Sequence, residues 1–217
     1  MRIAVCISTF HRAEGLGVVL DSIANQTIEG HDLSIVVTNN DPDDRKPHEI
    51  CARASETLPW PIVCLDERVR GLAAPRNRSL EHAIPEHDFI AFIDDDSRAD
   101  PDWLRALLAV QEQFDADVVT GPAEPEYEHA PEPWLERAGF FAREHRATGS
   151  RLDRAFTHNV LIRTEILERT GVRFDLRFGT IGGEDTHFFR RLQIAGASIV
   201  WADHALIADR VPAERMT

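Results

Sequence analysis

Up to residue 121 the chain alternates short β-branched and apolar runs with segments of helical periodicity, a pattern that leaves room for little besides a parallel sheet with helices packed on its faces. RIAVCIS (2–8), DLSIVVTNN (32–40), PIVCL (61–65), DFIAFI (88–93) and ADVVTG (116–121) read as strands. DFIAFI is apolar almost throughout, as a central strand covered on both faces must be. Between the first two strands Leu16, Leu20 and Ile23 fall on one helical face. GLAAPRNRSLEHAI turns helical from about Pro75, because proline in a first helical turn sacrifices no hydrogen bond. Asp100 reads as the N-cap of a further helix, with Pro101 at its first position and Leu104, Leu107 and Leu108 facing the core.

The second half is less regular. Residues 122–133 are rich in proline and acid and predict an extended surface connection. WLERAGFFAREHR (134–146) is amphipathic, AFTHNVLI (155–162) is a strand candidate, and the loop RFGTIGGED leads into a helix at THFFRRLQIAG. ASIVWAD (197–203) predicts a last strand, and the tail HALIADRVPAERMT shows little regular pattern. The expected organisation is one α/β domain in two halves, 1–121 and 122–217, with a mostly parallel central sheet, flanking helices and a smaller region in the second half.

Charge and cysteine content narrow the function. Thirty-seven acidic against 24 basic residues give a net charge of -13, which opposes binding to nucleic acid and suits a cationic partner. Cys6, Cys51 and Cys64 are odd in number and lack CxxC spacing, so free thiols in a reducing compartment are expected. No run approaches the ~20 apolar residues that span a bilayer, and the first residues lack a signal-peptide layout. The expected location is cytoplasmic, with peripheral contact at the inner membrane face left open. Residues 134–154 keep that contact in view: five arginines stand against three acids, interleaved with Trp134, Leu135, Phe140 and Phe141, although an amphipathic helix packed on the domain explains them as well.

Chemistry concentrates where DFIAFI runs into Asp94, Asp95 and Asp96. Ligands of open parallel sheets bind beyond the carboxyl ends of the strands. Three carboxylates there repel one another unless a divalent cation, arginines or full solvation offsets the repulsion. Mg²⁺ or Mn²⁺ takes oxygen ligands, often one or two carboxylates completed by substrate phosphates. On an extended segment Asp94 and Asp96 would point the same way and share a ligand, with Asp95 turned elsewhere.

Five segments in order, CISTFHR (6–12), NNDP (39–42), GLAAPRNRSL (71–80), FIDDDSRADPDWL (92–104) and GGEDTHFFRRL (182–192), resemble the family 2 glycosyltransferases of GT-A fold, and among them bacterial exopolysaccharide glucosyltransferases of the succinoglycan type. The resemblance implies an inverting, metal-dependent enzyme that moves a hexose from a nucleotide-diphospho-sugar, UDP-linked, to a saccharide or lipid-linked saccharide acceptor. By the same resemblance Thr9, Arg12, Asn39 and Asp41 line the nucleoside pocket, and Arg76 approaches the donor nucleotide. Asp94 and Asp95 contact the donor region, and Asp96 with Asp94 holds Mn²⁺ or Mg²⁺ against the diphosphate. Asp185 is the general base, beside acceptor-side Gly182, Gly183 and Glu184. His204, after the last strand, is a candidate further metal ligand, with Asp209 competing for that role.

Other classes fit less well. A sugar nucleotidyltransferase would want a Gly-rich, Arg-containing loop after the first strand, where this chain has STFHR. For a dinucleotide-binding fingerprint Gly15 and Gly17 lie too far along, and no completing glycine follows. No Q-x-x-R-W segment marks a processive synthase, and the ten histidines lack zinc spacing. A sugar-nucleotide-binding module without turnover is the non-enzyme alternative.

Overall fold

The computed structural model describes residues 1–139, 143–179 and 181–216, without the side chains of residues 135, 136 and 215. Chain order is β1 (Arg2–Thr9), α1 (Ala13–Ala24), β2 (Asp32–Asn39), α2 (Lys46–Ala54), β3 (Ile62–Asp66), α3 (Ala73–Ala83), β4 (Phe89–Ile93) and β5 (Ser97–Ala99). Then come α4 (Trp103–Phe114), β6 (Val118–Thr120), β7 (Ala123–Tyr127), α5 (Pro133–Ala138), β8 (Asn159–Arg163), α6 (Thr164–Thr170), α7 (Glu184–Ile194), β9 (Ile199–Trp201) and β10 (Ile207–Val211).

Seven strands form the central sheet in the order β3-β2-β1-β4-β8-β6-β9. Only β8 runs antiparallel to its neighbours, β4 and β6. The parallel part is built as expected: β1 pairs with β2 on one side and β4 on the other. Alternation along β1 feeds two cores. Ile3, Val5 and Ile7 pack with residues of α1 and α4, while Ala4 and Cys6 pack on the opposite face with α3, α6 and α7. All three cysteines are free thiols. The Cys51 thiol, hydrogen-bonded to Cys64 and buried, is pushed up from its usual range.

The strand order reverses at β1. The chain moves outward from β1 through β2 to β3, then returns to lay β4 on the other flank of β1, which opens a crevice beyond the carboxyl ends of β1 and β4. Asp94–Asp96 emerge there.

Several expectations need correction. Helix α4 starts at Trp103, with Asp102 rather than Asp100 preceding it, and Pro101 lies in a turn outside the helix. The Asp100 carboxylate accepts from the backbone of Asp102, and the first-turn amide of Leu104 donates to the side chain of Gln26 at 3.0 Å. A residue 78 positions away thus supplies a partner that capping rules assign to a local acid. The tail is not irregular: β10 pairs antiparallel with β5 and parallel with β7 in a second, three-stranded sheet. The connection at 122–133 contains β7, an edge strand that tolerates Pro125 because its free side needs no donor. Among the described residues the amphipathic segment at 134–146 is helical only over α5; Phe140 and Phe141 lie outside them, as does Thr180 in the loop before α7.

Asn159, fully buried at the start of β8, ties the two sheets together. Its Oδ1 accepts from the indole N–H of Trp103 at 2.8 Å, and its amide donates to the carbonyls of Pro122 and Ala205 at 2.9 and 2.7 Å. Among the described residues no helix is long and apolar enough to cross a membrane.

Candidate active site

A cavity of about 580 Å³ occupies the crevice between β1 and β4. Thr9, Arg12, Arg76, Asp94 and Asp95 line it, together with Phe10, Asn40, Arg70 and Gly71, which the sequence did not single out. Neither Asn39 nor Asp41 lines it. Fully buried, Asn39 braces the following turn: its amide donates to the carbonyls of Asp41 and Asp44, and its Oδ1 accepts from the Asp41 amide. Asn40, also buried, lines the cavity instead, binding the carbonyls of Glu67 and Val69 and the amide of Gly71. Asp41 pairs with His11 at 2.9 Å and Arg70 at 3.3 Å. The Arg70 guanidinium lies 4.4 Å over the ring of Phe10, leaving an apolar, half-exposed wall. At Gly71, φ is +124° and a Cβ would stand 2.5 Å from the Gly179 carbonyl oxygen, so only glycine lets this loop close on the loop before α7.

The three aspartates do not continue as a strand. β4 ends at Ile93, and a turn follows in which the Ser97 amide donates to the Asp94 carbonyl. The turn changes the pairing expected from strand alternation. Asp95 and Asp96 share one cation, Nη1 of Arg12, at 3.1 and 2.6 Å, while Asp94 faces Nη2 of Arg76 at 3.5 Å. Burial pushes the Asp95 carboxyl up to about 6. Burial alone would lower the Arg12 guanidinium, but Asp96, Asp95 and Asp94 outweigh it and hold it above its usual value. The turn is also pinned from beneath, since the Arg210 amide of β10 donates to the Asp96 carbonyl and α1 presses Gly15 against the Asp95 carbonyl.

Arg76 connects this corner to a second acidic pair. Nη1 bonds Glu184 and stands 3.1 Å from Oδ1 of Asp185, both in the first turn of α7. Arg76 and Glu184 expose only 8% and 5% of their side chains. Burial would depress this guanidinium, yet Asp185, Asp94 and Glu184 keep it above its ordinary value. Asp185 also accepts from the backbone amide and hydroxyl of Thr157, at 3.0 and 2.9 Å to Oδ2. Gly182 and Gly183 turn the chain into α7 with φ of 77° and 88°. The register of β4 and β8 pairs Ile93 with Asn159, so Thr157 projects from the same edge as Asp94.

Beyond Thr157 the edge continues into a second cleft of about 700 Å³, walled by Arg146, Arg151, Arg154, Phe156, His158 and Trp201. Its arginines belong to the basic patch read from the sequence. His204 lies on an exposed turn after β9, and Asp209 pairs with Ser97 across β10 and β5.

A divalent cation can be tested against these residues. Among the described residues no group of three or more His, Cys, Asp or Glu could hold a metal ion. The described residues alone offer no closed cage. Asp96 and the 40%-exposed Asp94 instead fit an open, oxygen-only set of one or two carboxylates that leaves most of the shell to phosphate oxygens.

Comparison with known proteins bears on the family and the fold. The family model described as Glycosyl transferase family 2 matches residues 4–171. The succinoglycan biosynthesis protein ExoM of Rhizobium meliloti is 28% identical over 99% of this chain and 69% of its own length. A glucosyl-dolichyl phosphate glucuronosyltransferase of Haloferax volcanii is 29% identical over 58% of this chain and 38% of its own. S. aureus TarS 1-349 in complex with UDP superposes with a TM-score of 0.77 at 19% identity, over 99% of this chain and 62% of that TarS fragment. The mannosyltransferase PcManGT from Pyrobaculum calidifontis, in complex with GDP-Man and Mn²⁺, gives 0.74 at 20% identity over 99% and 58%. At these identities the structures establish a shared GT-A fold.

Proposed function

The chain belongs to glycosyl transferase family 2, and from that premise we propose that it transfers a hexose from a UDP-sugar to a saccharide or lipid-linked saccharide acceptor during polysaccharide synthesis, with inversion and with Mn²⁺ or Mg²⁺. One observation carries the reading: Arg76 bridges Asp94 on the donor side to Asp185 on the other side of the crevice. Two carboxylate sites, held a single guanidinium apart, suit the two demands of glycosyl transfer, which are stabilising a departing diphosphate and taking a proton from an incoming hydroxyl.

The donor nucleotide occupies the 580 Å³ cavity, with its base against the Phe10 wall and its diphosphate toward Asp94–Asp96. Asp96 and Asp94 would hold the cation, which supplies charge neutralisation at the leaving diphosphate. Asp185 accepts the proton of the acceptor hydroxyl. Arg76 and the amide and hydroxyl of Thr157 fix its carboxylate with three donors on four lone-pair directions, which leaves one for the incoming hydroxyl. The acceptor lies on the side of Glu184 and the 700 Å³ cleft, and His204 and Asp209 are secondary candidates to reach the cation. Residues 1–121 thus serve the donor and 122–217 the acceptor, with peripheral membrane contact through the arginine-rich segment. The complex of TarS with UDP supports the choice of UDP by analogy, and that of PcManGT with GDP-Man and Mn²⁺ supports the cation.

Calorimetry with UDP and Mn²⁺, followed by transfer and donor-hydrolysis assays over a sugar-nucleotide panel, tests the reading. Asp96→Ala is expected to lose UDP binding in Mn²⁺. Asp185→Ala keeps that binding but slows transfer by ~10²-fold or more. Normal transfer in Asp185→Ala would remove it as base, and absence of UDP binding in the wild type would remove the donor assignment.

A further inference from the structure

Arg12 stands where a cation is wanted. Its Nη1 lies 2.6 Å from Oδ2 of Asp96 and 3.1 Å from Oδ1 of Asp95, so one guanidinium nitrogen already offsets Asp96, a carboxylate that would receive a divalent ion, together with its neighbour Asp95. A divalent cation and a guanidinium cannot both sit within hydrogen-bond distance of one carboxylate oxygen without strong mutual repulsion. One of them must leave. The backbone of Arg12 is fixed, because its carbonyl accepts from Leu16 in the first turn of α1, but its side chain is 57% exposed. The guanidinium can therefore swing away with no helix or strand moving. Its neighbours give it a destination, since Arg12 lines the same 580 Å³ cavity as Arg76 and Asp94.

We propose that Arg12 is a resident counter-ion that keeps a lone divalent cation off Asp96 and yields only when cation and nucleoside diphosphate arrive together. The inference rests on the donor reading above. With the cation alone, displacing Arg12 forfeits charge-assisted hydrogen bonds and returns nothing to the guanidinium. With a diphosphate present, the released fork meets phosphate oxygens that suit its planar donors. Cation and nucleotide then strengthen each other's binding by the same factor.

The test is Mn²⁺ binding followed by the electron paramagnetic resonance signal of free Mn²⁺, with and without UDP, in the wild type, Arg12→Gln and Arg12→Lys. The wild type is expected to bind Mn²⁺ weakly alone and about tenfold or more tightly with UDP. Arg12→Gln should bind Mn²⁺ alone about tenfold more tightly than the wild type, with its UDP enhancement correspondingly smaller. Arg12→Lys should fall between the two, and Asp96→Asn added to Arg12→Gln should abolish the gain. Equal or weaker Mn²⁺ binding in Arg12→Gln would overturn the proposal. So would a protein that binds UDP yet never binds Mn²⁺, in which case Arg12 replaces the ion permanently and the donor site still stands. Calorimetric failure to bind UDP at all would instead strike the donor reading.

Discussion

Nη1 of Arg76 stands 3.1 Å from Oδ1 of Asp185, across 109 residues of chain, with the same nitrogen bonded to Glu184. The contact holds the start of α3 against the start of α7 and so joins the two halves of the crevice. A buried cation serving two or three carboxylates is hard to replace, since any of them left alone keeps its desolvation penalty.

Arg76→Ala is accordingly expected to lower stability by ~3–5 kcal/mol in urea denaturation. Adding Glu184→Gln should return part of that loss, because it removes the most buried stranded carboxylate. Arg76→Lys should fold but transfer sugar far more slowly, since one ammonium cannot span Asp94 and Asp185 as the guanidinium fork does. A fully active lysine variant would show the bridge to be structural only.

At Gly15 a Cβ would lie 2.4 Å from the carbonyl oxygen of Asp95. Backbone cannot give way there without moving the acidic turn. Gly15→Ala should cost ~1–3 kcal/mol of stability and weaken UDP binding in Mn²⁺, read by thermal unfolding and calorimetry. Gly17 meets nothing within 4 Å, so Gly17→Ala is the matched control and should leave binding unchanged.

Asn159→Ala would strand the Trp103 indole N–H and the Ala205 carbonyl in the core and take one of two donors from the Pro122 carbonyl. The expected loss is ~2–3 kcal/mol or more, from unsatisfied buried groups and a small cavity. Chemical denaturation measures it, and a loss below ~1 kcal/mol would mean that the site relaxes around the alanine.

Asp88, at the foot of β4, accepts from the backbone amide of Arg2 at 2.8 Å and pairs with its side chain, which holds its carboxyl below the usual value. A depressed folded-state value gives stability that is present above the unfolded value of ~3.9 and is lost as pH falls through the folded one. The pair is largely exposed, so the contribution is a few tenths of a kcal/mol. Asp88→Asn should therefore be slightly less stable than the wild type at pH 6 and indistinguishable from it near pH 2. A constant difference across that range would show that charge plays no part.

The parts legible in the sequence were those that local pattern controls. β1, β2, β3 and β4 lie within a residue or two of where alternation and apolar runs put them. Helix α7 begins at Glu184, two residues before the start read from THFFRRLQIAG. β10 escaped because only Ile207 and Val211 at its ends are buried, and its pairing with β5 and β7 is decided by contacts far away in sequence. Thr157, which holds Asp185, carried no signal at all. The doublet Asn39-Asn40 did carry one, but period-2 alternation does not say which asparagine braces the turn and which faces the cavity.

From the sequence alone came the alternating α/β framework, the acidic corner at the end of β4 and the second acidic pair before a helix, because each depends on residues close together in the chain. The tertiary structure alone decided which charges meet. Arg12 meets Asp95 and Asp96 across 83 and 84 positions, and Arg76 joins Asp94, 18 positions along, to Asp185, 109 positions along; Coulomb attraction acts over a few ångströms of space that only the folded sheet creates.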